Sequence, residues 1–575
     1  MLIDDINRNR ELAEKLKSQT KYDIAVIGNI MVNQLKDLVE MSIRENNINA
    51  EVEFGDYDNI VQDSERFSNK RAILIFWETG NIINGLPYKS LTMEKDLIDE
   101  IINKIKSEIN LVLQNLEHVP IVLFNTFSTV LFNQHYIENN QFDYICEALN
   151  EYLYANKPKN CHIINIEKII ASCGIQNVFN SRLWQSTKVL YTYEFLKQYA
   201  LMVAPYMLSV SGKAKKVIVL DCDNTLWKGI IGEDGIDGIA IDPTKKDGEY
   251  FQEVHYLLKA LMKQGVMLAL NSKNNIEDVK QVFEHFDQIP LKWEDFLVTK
   301  VNWQDKVSNL KEIANELNIG LDSMVHIDDS DFEVNHIRTE LDMLQVIQVP
   351  DKVKDYPTLI RKSTNLFLNL NKTNEDRNRI EMYKKEKIRN EEQSKFKNIE
   401  EYLKSLDLEL DIYINNLSFV ERMAQMTQKT NQFNLTTKRY TDSEILNMIE
   451  SNKFILFCFG VKDKFGDYGT TGLFIIENNS EGWNVDSFLL SCRILGRNIE
   501  LAFVSFVIDY LKKINVSKLN ASYIKTLKNA QVAELYDKLG FTSIDTKNEI
   551  EKKYLLNLND FKFFKNTYIK INYEG

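Results

Sequence analysis

Apolar positions fall into short continuous runs separated by longer stretches with helical spacing. In the first two hundred residues the runs are IAVIGN (Ile24 to Asn29), AEVEF (Ala50 to Phe54), AILIFWE (Ala72 to Glu78), PIVLFN (Pro120 to Asn125) and HIINI (His162 to Ile166). Between them, Leu35, Leu38, Val39 and Ile43 repeat at helical intervals. A longer stripe runs through Ile98, Ile101, Ile102, Ile105, Ile109 and Val112. Runs of four to six apolar residues alternating with helical stripes predict a doubly wound parallel sheet. The first run ends in Gly28-Asn29, with no GxGxxG or Walker pattern, so a structural turn is predicted there instead of a phosphate cradle.

The pattern is most informative at VIVLDCDNTLW, residues Val217 to Trp227. Four apolar residues, three of them β-branched, predict a short strand buried on both faces. Asp221 and Asp223 follow it. Residues two apart on an extended chain point the same way, so both carboxylates can converge at the carboxyl edge of a parallel sheet. Two anions that close repel, and a hard cation such as Mg²⁺ is their natural neighbour. Next, KGIIGEDGIDGIAI (Lys228 to Ile241) carries four glycines and predicts a small hairpin flap. Val254, Leu257, Leu258 and Leu261 form a helical stripe that Gly265 stops. The run VMLAL leads into Asn271-Ser272-Lys273. Lys306 stands at the start of a helix with the stripe Val307, Leu310, Ala314 and Leu317. SMVHI runs into Asp328-Asp329-Ser330-Asp331-Phe332-Glu333. Taken singly these have plain structural readings: a cap, a surface charge, an acidic turn.

The last third begins with a charged, glycine-free stretch, Asn371 to Leu406, expected to be a connecting helix. LELDIYI reads as a strand and QKTNQFNLTTKRY (Gln428 to Tyr440) as more loop than element. FILFCFGVKD and GTTGLFIIEN are predicted consecutive strands, and NVDSFLLSCRILGRNIELAFVSFVIDYLKK a strand running into a helix.

Length and composition bound these readings. At 575 residues the chain exceeds one core, and its 44% apolar and 27% charged residues are those of soluble globular protein. A formal charge of −13 argues against bulk binding of nucleic acid or anionic membrane. Six cysteines (Cys146, Cys161, Cys173, Cys222, Cys458, Cys492) lack CxxC spacing, so neither a disulfide framework nor a zinc site is expected. No secretory signal or bilayer-length apolar run stands out, and a cytoplasmic location is the expectation.

Jointly, the order strand–DxDxT, strand–Ser, Lys at a helix start and strand–DDxxxE resembles the four-motif pattern of the haloacid-dehalogenase (HAD) superfamily. Phosphoryl transfer needs an oxygen nucleophile, neutralisation of the moving group and in-line geometry. The resemblance implies Asp221 as a nucleophile forming an aspartyl-phosphate, and Asp223 as general acid–base lending its backbone carbonyl to Mg²⁺. It implies Ser272 and Lys306 as holders of the phosphoryl oxygens, and Asp328 and Asp329 as metal ligands. Thr225, Lys273, Asn274 and Glu333 would stand around the substrate. DCDNTLWKGIIGEDG, LALNSKNN, VNWQDK and IDDSDFE resemble the FkbH-like branch over nearly the whole chain. Asn271 departs from that pattern, where Cys is usual, as do the Asp-Asp-Ser-Asp-Phe-Glu ending and Asn335-His336.

The fold this implies is α/β with three domains. A degenerate SGNH-like, flavodoxin-type doubly wound sheet spans 1–210, and a HAD-like Rossmannoid core without a large cap spans 211–370. After a linker helix over 371–405, a GNAT-like α+β domain spans 406–575. The SGNH resemblance lacks its nucleophile, since Gly28-Asn29-Ile30 replaces Gly-Asp-Ser, and NSRLWQSTKVLY (Asn180 to Tyr191) lacks the family's His. A docking or packing role is expected for it. NAQVAELYDKLGF (Asn529 to Phe541) resembles a GNAT ending. Arg493, Gly496, Arg497 and Asn498 occupy the family's coenzyme A turn without its last small residue, a turn that could meet a phosphopantetheine arm.

FkbH-like proteins are implicated in moving the glyceryl unit of 1,3-bisphosphoglycerate to the phosphopantetheine thiol of an acyl carrier protein, with loss of phosphate. That implies Mg²⁺ as cofactor, and a small phosphorylated metabolite and an acyl carrier protein as partners. Lys429, Lys438, Arg439, Arg493 and Arg497 form the candidate docking set, with Asn431 and Asn529 beside the arm. Cys222 is expected to turn into the core, and Cys492, beside a basic turn and a helix N-terminus, is the candidate acyl carrier. The alternatives are a HAD phosphatase on another metabolite, a GNAT-type acyltransferase in surface-polysaccharide assembly, and a scaffold.

Overall fold

The computed structural model describes residues 2–370, 381, 383, 385, 388, 389, 392, 393, 395, 396, 398–430, 432–480, 482–491, 494–526, 529–545, 550–565 and 568–573. Most of the expected connecting helix, and Asn431, Cys492 and Arg493, therefore lie outside the described residues. The chain forms two compact units, Met1–Ser211 and Gly212–Gly575.

The first unit is built on five strands: β1 (Tyr22–Gly28), β2 (Ala50–Phe54), β3 (Ala72–Phe76), β4 (Val122–Asn125) and β5 (Cys161–Ile164). All neighbours are parallel, in the order β2-β1-β3-β4-β5. The predicted stripes form the helices Leu35–Arg44 and Lys95–Asn115, whose repeating Leu, Ile and Val side chains are buried. The predicted strand over 120–125 begins at Val122, because Pro120 has no N–H to give a ladder.

The second unit contains two sheets. In the first, β6 (Val217–Leu220), β7 (Met267–Ser272), β8 (Phe296–Val301), β9 (Met324–Asp328) and β10 (Gln345–Gln348) run parallel in the order β10-β9-β6-β7-β8. All four residues of β6 are buried. Ile218 and Leu220 enter one core with Leu268, Leu270 and Ile327, while Val217 and Val219 enter another with Met267, Ala269 and Met324. Side chains alternate faces along a strand, so one run feeds both cores. The glycine-rich flap is not a hairpin. One antiparallel bridge, Lys228 with Ala240, closes it around the single helical turn Ile231–Asp234. Asp234 accepts a hydrogen bond from Ile230 N (2.8 Å), and Gly235 adopts φ 66°, so the chain curls where paired strands were predicted.

The second sheet has eight strands: β11 (Leu408–Ile414), β12 (Phe454–Asp463), β13 (Gly466–Asn479), β14 (Gly482–Leu490), β15 (Lys518–Ile524), β16 (Thr542–Asp545), β17 (Glu551–Asn557) and β18 (Ile569–Tyr573). Their order is β16-β17-β15-β14-β13-β12-β11-β18, mostly antiparallel. The helix Ile499–Lys513 connects β14 to β15, which pair in parallel at Asn484 and Asn520 only.

Candidate phosphoryl-transfer site

The ladder of the parallel sheet in the second unit decides which side chains meet. Leu220 pairs with Leu270 on one side and Ile327 on the other. Asp221, Ser272 and Asp328 therefore emerge side by side at the carboxyl ends of three adjacent strands, the edge where open α/β sheets carry ligands. Lys306 opens the helix Lys306–Glu316, capped by the Asp305 carboxylate accepting from Ser308 N (2.8 Å). Asn271, the departure from the family pattern, donates its amide to Lys306 O (3.1 Å) and accepts from Asn309 Nδ2 (3.1 Å). It ties the start of that helix to the end of β7.

The Lys306 side chain is 4% exposed, and its Nζ lies 2.9 Å from Asp221 Oδ1 and 2.7 Å from Asp328 Oδ2. Burial alone would lower its pKa, but the two carboxylates hold it above the ordinary lysine value, so it is an ammonium. Burial raises the Asp221 pKa and the neighbouring Asp328 charge adds to this, against the pull of Lys306. Burial also opposes ionisation of Asp328, yet hydrogen bonds from His326 and Lys306 bring its pKa down to about 2. Asp329 is pushed up to about 6 by burial and by the charges of Asp221 and Asp328.

Asp221, Asp328 and Asp329 each offer an oxygen within 4.8 Å of the others. Hard carboxylate oxygens this close suit a hard divalent cation, which would relieve the repulsion that helps raise the pKa of Asp221 and Asp329. The Asp223 carboxylate is outside this set. Its Oδ1 accepts from Trp227 Nε1 (2.9 Å) and Ile231 N (3.0 Å), and its Oδ2 from Asn274 Nδ2 (2.8 Å). Any ligation by Asp223 is thereby left to the backbone carbonyl, the atom expected for it. Asn274 also reaches Ser272 Oγ (3.2 Å), linking the loop after β6 to the loop after β7. Lys273 pairs with Glu333 Oε1 at 2.6 Å, and Glu333 Oε2 is buried without a hydrogen-bond partner. Thr225 is fully buried, its hydroxyl likewise unpartnered. Cys222 is buried in the apolar core, as alternation predicts, and burial pushes its thiol pKa far up.

Two side chains escaped the sequence reading. His326 is fully buried, with one ring nitrogen 3.1 Å from Val219 O and the other 3.0 Å from Asp328 Oδ2. It stands two residues before Asp328 on β9, so alternation would have placed both on one face. Tyr356 is fully buried with no hydrogen-bond partner for its hydroxyl, and the charges of Asp221, Asp329 and Asp328 reach it. No local motif marks it.

Several of the expected arm-binding residues lie within the described part of the domain that carries the eight-stranded sheet. Gly496 has φ 78° and Asn498 is left-handed at φ 58°, its side chain donating to Tyr568 (2.8 Å) in place of the missing small residue. Arg497 is not a surface charge. It is 6% exposed, donates to Tyr468 OH (2.5 Å) and stacks over that ring. Lys438 pairs with the buried Asp486, Arg439 donates to Thr427 O (2.8 Å), and Lys429 ends the helix Val420–Lys429. Asn529 is fully buried and donates to Asn434 O and Ile524 O (both 2.9 Å).

Beyond Asn484 and Asn520 the strands β14 and β15 part, and the chain itself fills the gap. Leu490 N donates to Phe433 O (3.1 Å), Leu435 N to Phe488 O (3.2 Å) and Ile524 N to Leu435 O (2.8 Å). The segment predicted to be loop thus serves as a short interposed strand, because parted strands leave backbone groups that need partners.

No family model matches the chain, and no curated protein is similar to it. Among solved structures, the chain is similar to the N-terminal part of the protein BF1531 from Bacteroides fragilis, which contains a phosphatase domain and is complexed with Mg. The identity is 25% and the TM-score 0.54, over 63% of this chain and 99% of that one. Likenesses to an N-acetyltransferase from Staphylococcus aureus Mu50 (17% identity, TM-score 0.20) and to the PaiA N-acetyltransferase of Thermoplasma acidophilum (15%, 0.21) are slighter. These cover 26% and 25% of this chain and 99% and 98% of theirs. The chain is a multidomain α/β protein carrying a phosphatase-like domain.

Proposed function

We propose that this chain is a Mg²⁺-dependent phosphoryl-handling enzyme of HAD type with Asp221 as nucleophile. The observation that carries this reading is the buried Lys306 ammonium between Asp221 and Asp328, with Asp329 beside them. The relative's bound Mg supports the choice of cation. Asp221, Asp328 and Asp329 would hold it, and it would neutralise charge on the phosphoryl oxygens. Asp221 attacks phosphorus, the bond to the leaving oxygen breaks, and Asp223 gives that oxygen its proton. Lys306 and Ser272 hold the equatorial oxygens, and water then cleaves the aspartyl-phosphate, with Asp223 taking its proton.

The finer reading is glyceryl transfer from 1,3-bisphosphoglycerate to the phosphopantetheine thiol of an acyl carrier protein, within polyketide or nonribosomal peptide assembly. Thiol attack on the acyl-phosphate carbonyl would release one phosphate, and the remaining phosphate ester would suit the Asp221 site. Its support is the motif resemblance. The interposed segment Phe433–Leu435 bears on both this reading and the rival GNAT-type acyltransferase, since an extended amide chain laid between β14 and β15, whether of coenzyme A or of a carrier arm, would have to displace it. Arg497, being buried, drops out of the docking set.

The test is to incubate the full chain with Mg²⁺, a 1,3-bisphosphoglycerate-generating system and a holo carrier protein, and to weigh both proteins intact. A glyceryl adduct that disappears in Asp221→Asn supports the finer reading. Phosphate release without an adduct restricts the function to a phosphatase, and neither event in the presence of Mg²⁺ refutes the proposal.

A further inference from the structure

The first unit holds a cavity of about 360 Å³, lined by residues of that unit alone. It lies at the carboxyl edge of the parallel sheet, where chain connections from β1 and from β3 leave in opposite directions. Open α/β sheets bind ligands at such switch points. Asp58, whose N–H donates to Gly28 O at the end of β1 (3.1 Å), and Trp77, next after β3, both line it. The walls are Ile82 and, from the helix Lys95–Asn115, Ile101 and Ile105.

Polar and apolar side chains share the lining, Gln62 and Glu108 among the polar ones, and three of the polar groups bear on a zwitterionic ligand. Asp58 sits at φ 57° and makes no side-chain hydrogen bond or ion pair among the described residues. Asp58 is exposed, and the part of it that is covered raises its pKa, with Lys104 working against this. Lys104, its side chain 74% exposed, lines the same cavity beside Glu108, with which it pairs at 3.7 Å, a contact of little strength. Trp77 is 6% exposed and fixed by stacking on Phe124, yet among the described residues its indole N–H has no hydrogen-bond partner. Two carboxylates (Asp58 and Glu108), an ammonium and a neutral donor thus lie around a cavity whose apolar side is mostly isoleucine.

We propose that this cavity binds a free α-amino acid with an apolar side chain. Its ammonium would meet Asp58, its carboxylate Lys104 and the Trp77 N–H, and its side chain the isoleucine walls. The volume lies at the lower end of ligand sites, enough for one such molecule. The site rests on the first unit alone and is independent of the phosphoryl-transfer reading.

Isothermal titration of the full chain tests this. L-Leucine or L-phenylalanine is expected to bind. Glycine, N-acetyl-L-leucine (no ammonium) and isoamylamine (no carboxylate) should each bind at least about tenfold more weakly, as expected for losing the apolar contact or a charge-assisted hydrogen bond. Asp58→Asn should weaken leucine by about tenfold or more and leave phosphate release unchanged, since Asn tolerates the left-handed backbone there. Absence of binding by either amino acid at millimolar concentration overturns the proposal. So does isoamylamine binding as tightly as leucine, or unchanged leucine affinity in Asp58→Asn.

Discussion

Lys306 places its ammonium 2.7 Å from Asp328, a carboxylate with no solvent exposure, and the pair closes the floor of the candidate phosphoryl-transfer site. A second carboxylate, Asp221, lies 2.9 Å from the same nitrogen. Removing the lysine leaves buried like charges unpaired. Lys306→Ala should therefore cost about 3–5 kcal/mol of stability, by analogy with broken buried pairs. Phosphate release should fall by about 10² or more. Denaturant unfolding and a phosphate assay read the two effects separately, and an unchanged midpoint would refute the floor's role.

Mg²⁺ should raise the melting temperature of the wild-type chain, by about 2.7 kcal/mol of stabilisation at a hundred times Kd. Asp328→Asn or Asp329→Asn should abolish the shift. Since Asp329 is pushed up to about 6, protons compete with the metal at mildly acidic pH. Titration calorimetry should show weaker Mg²⁺ binding at pH 5 than at pH 7.5.

Glu78 predicts a pH dependence confined to the first unit. Burial pushes its carboxyl up to about 7, although Tyr191 OH (3.0 Å) and Gly80 N (3.3 Å) donate to it. Between its ordinary value and 7 the folded chain keeps a proton that the unfolded chain has lost. Stability must therefore fall as pH rises through that window, by a total on the order of 3 kcal/mol. Glu78→Gln removes the titration. Scanning calorimetry at pH 5 and pH 8 should show a smaller pH difference in the variant than in the wild type.

The interposed segment of the eight-stranded sheet depends on Asn434, which donates to Thr430 O (3.1 Å) and accepts from Thr437 N (2.8 Å). Asn434→Ala leaves these groups unsatisfied and should destabilise by about 1–3 kcal/mol. Amide exchange at Leu435, Leu490 and Ile524 should quicken together, because one segment holds all three.

Tyr356→Phe should leave stability unchanged or raise it by up to about 1 kcal/mol, because the hydroxyl it deletes is buried without a partner. A loss of stability on thermal melting would mean that the hydroxyl is satisfied in solution.

By itself the sequence determined the parallel sheets and the ends of the strands that carry the phosphoryl site. Val217–Leu220 is apolar at every position, and only a strand covered on both faces makes that favourable. Spacing of two then puts Asp221 just past the edge, and the Asp305 cap marks where Lys306 begins its helix. Tertiary structure alone decided how these parts are used. Asn271 anchors Lys306 and Asn274 draws on the Asp223 carboxylate through contacts between segments distant in sequence, while His326 donates to Asp328 and Trp227 to Asp223 within one strand and one loop. It also withdrew Arg497 into a stack on Tyr468 and drew Phe433–Leu435 between two parted strands. Local pattern records which residues seek burial. Which buried polar group finds which partner is settled only when the strands are side by side.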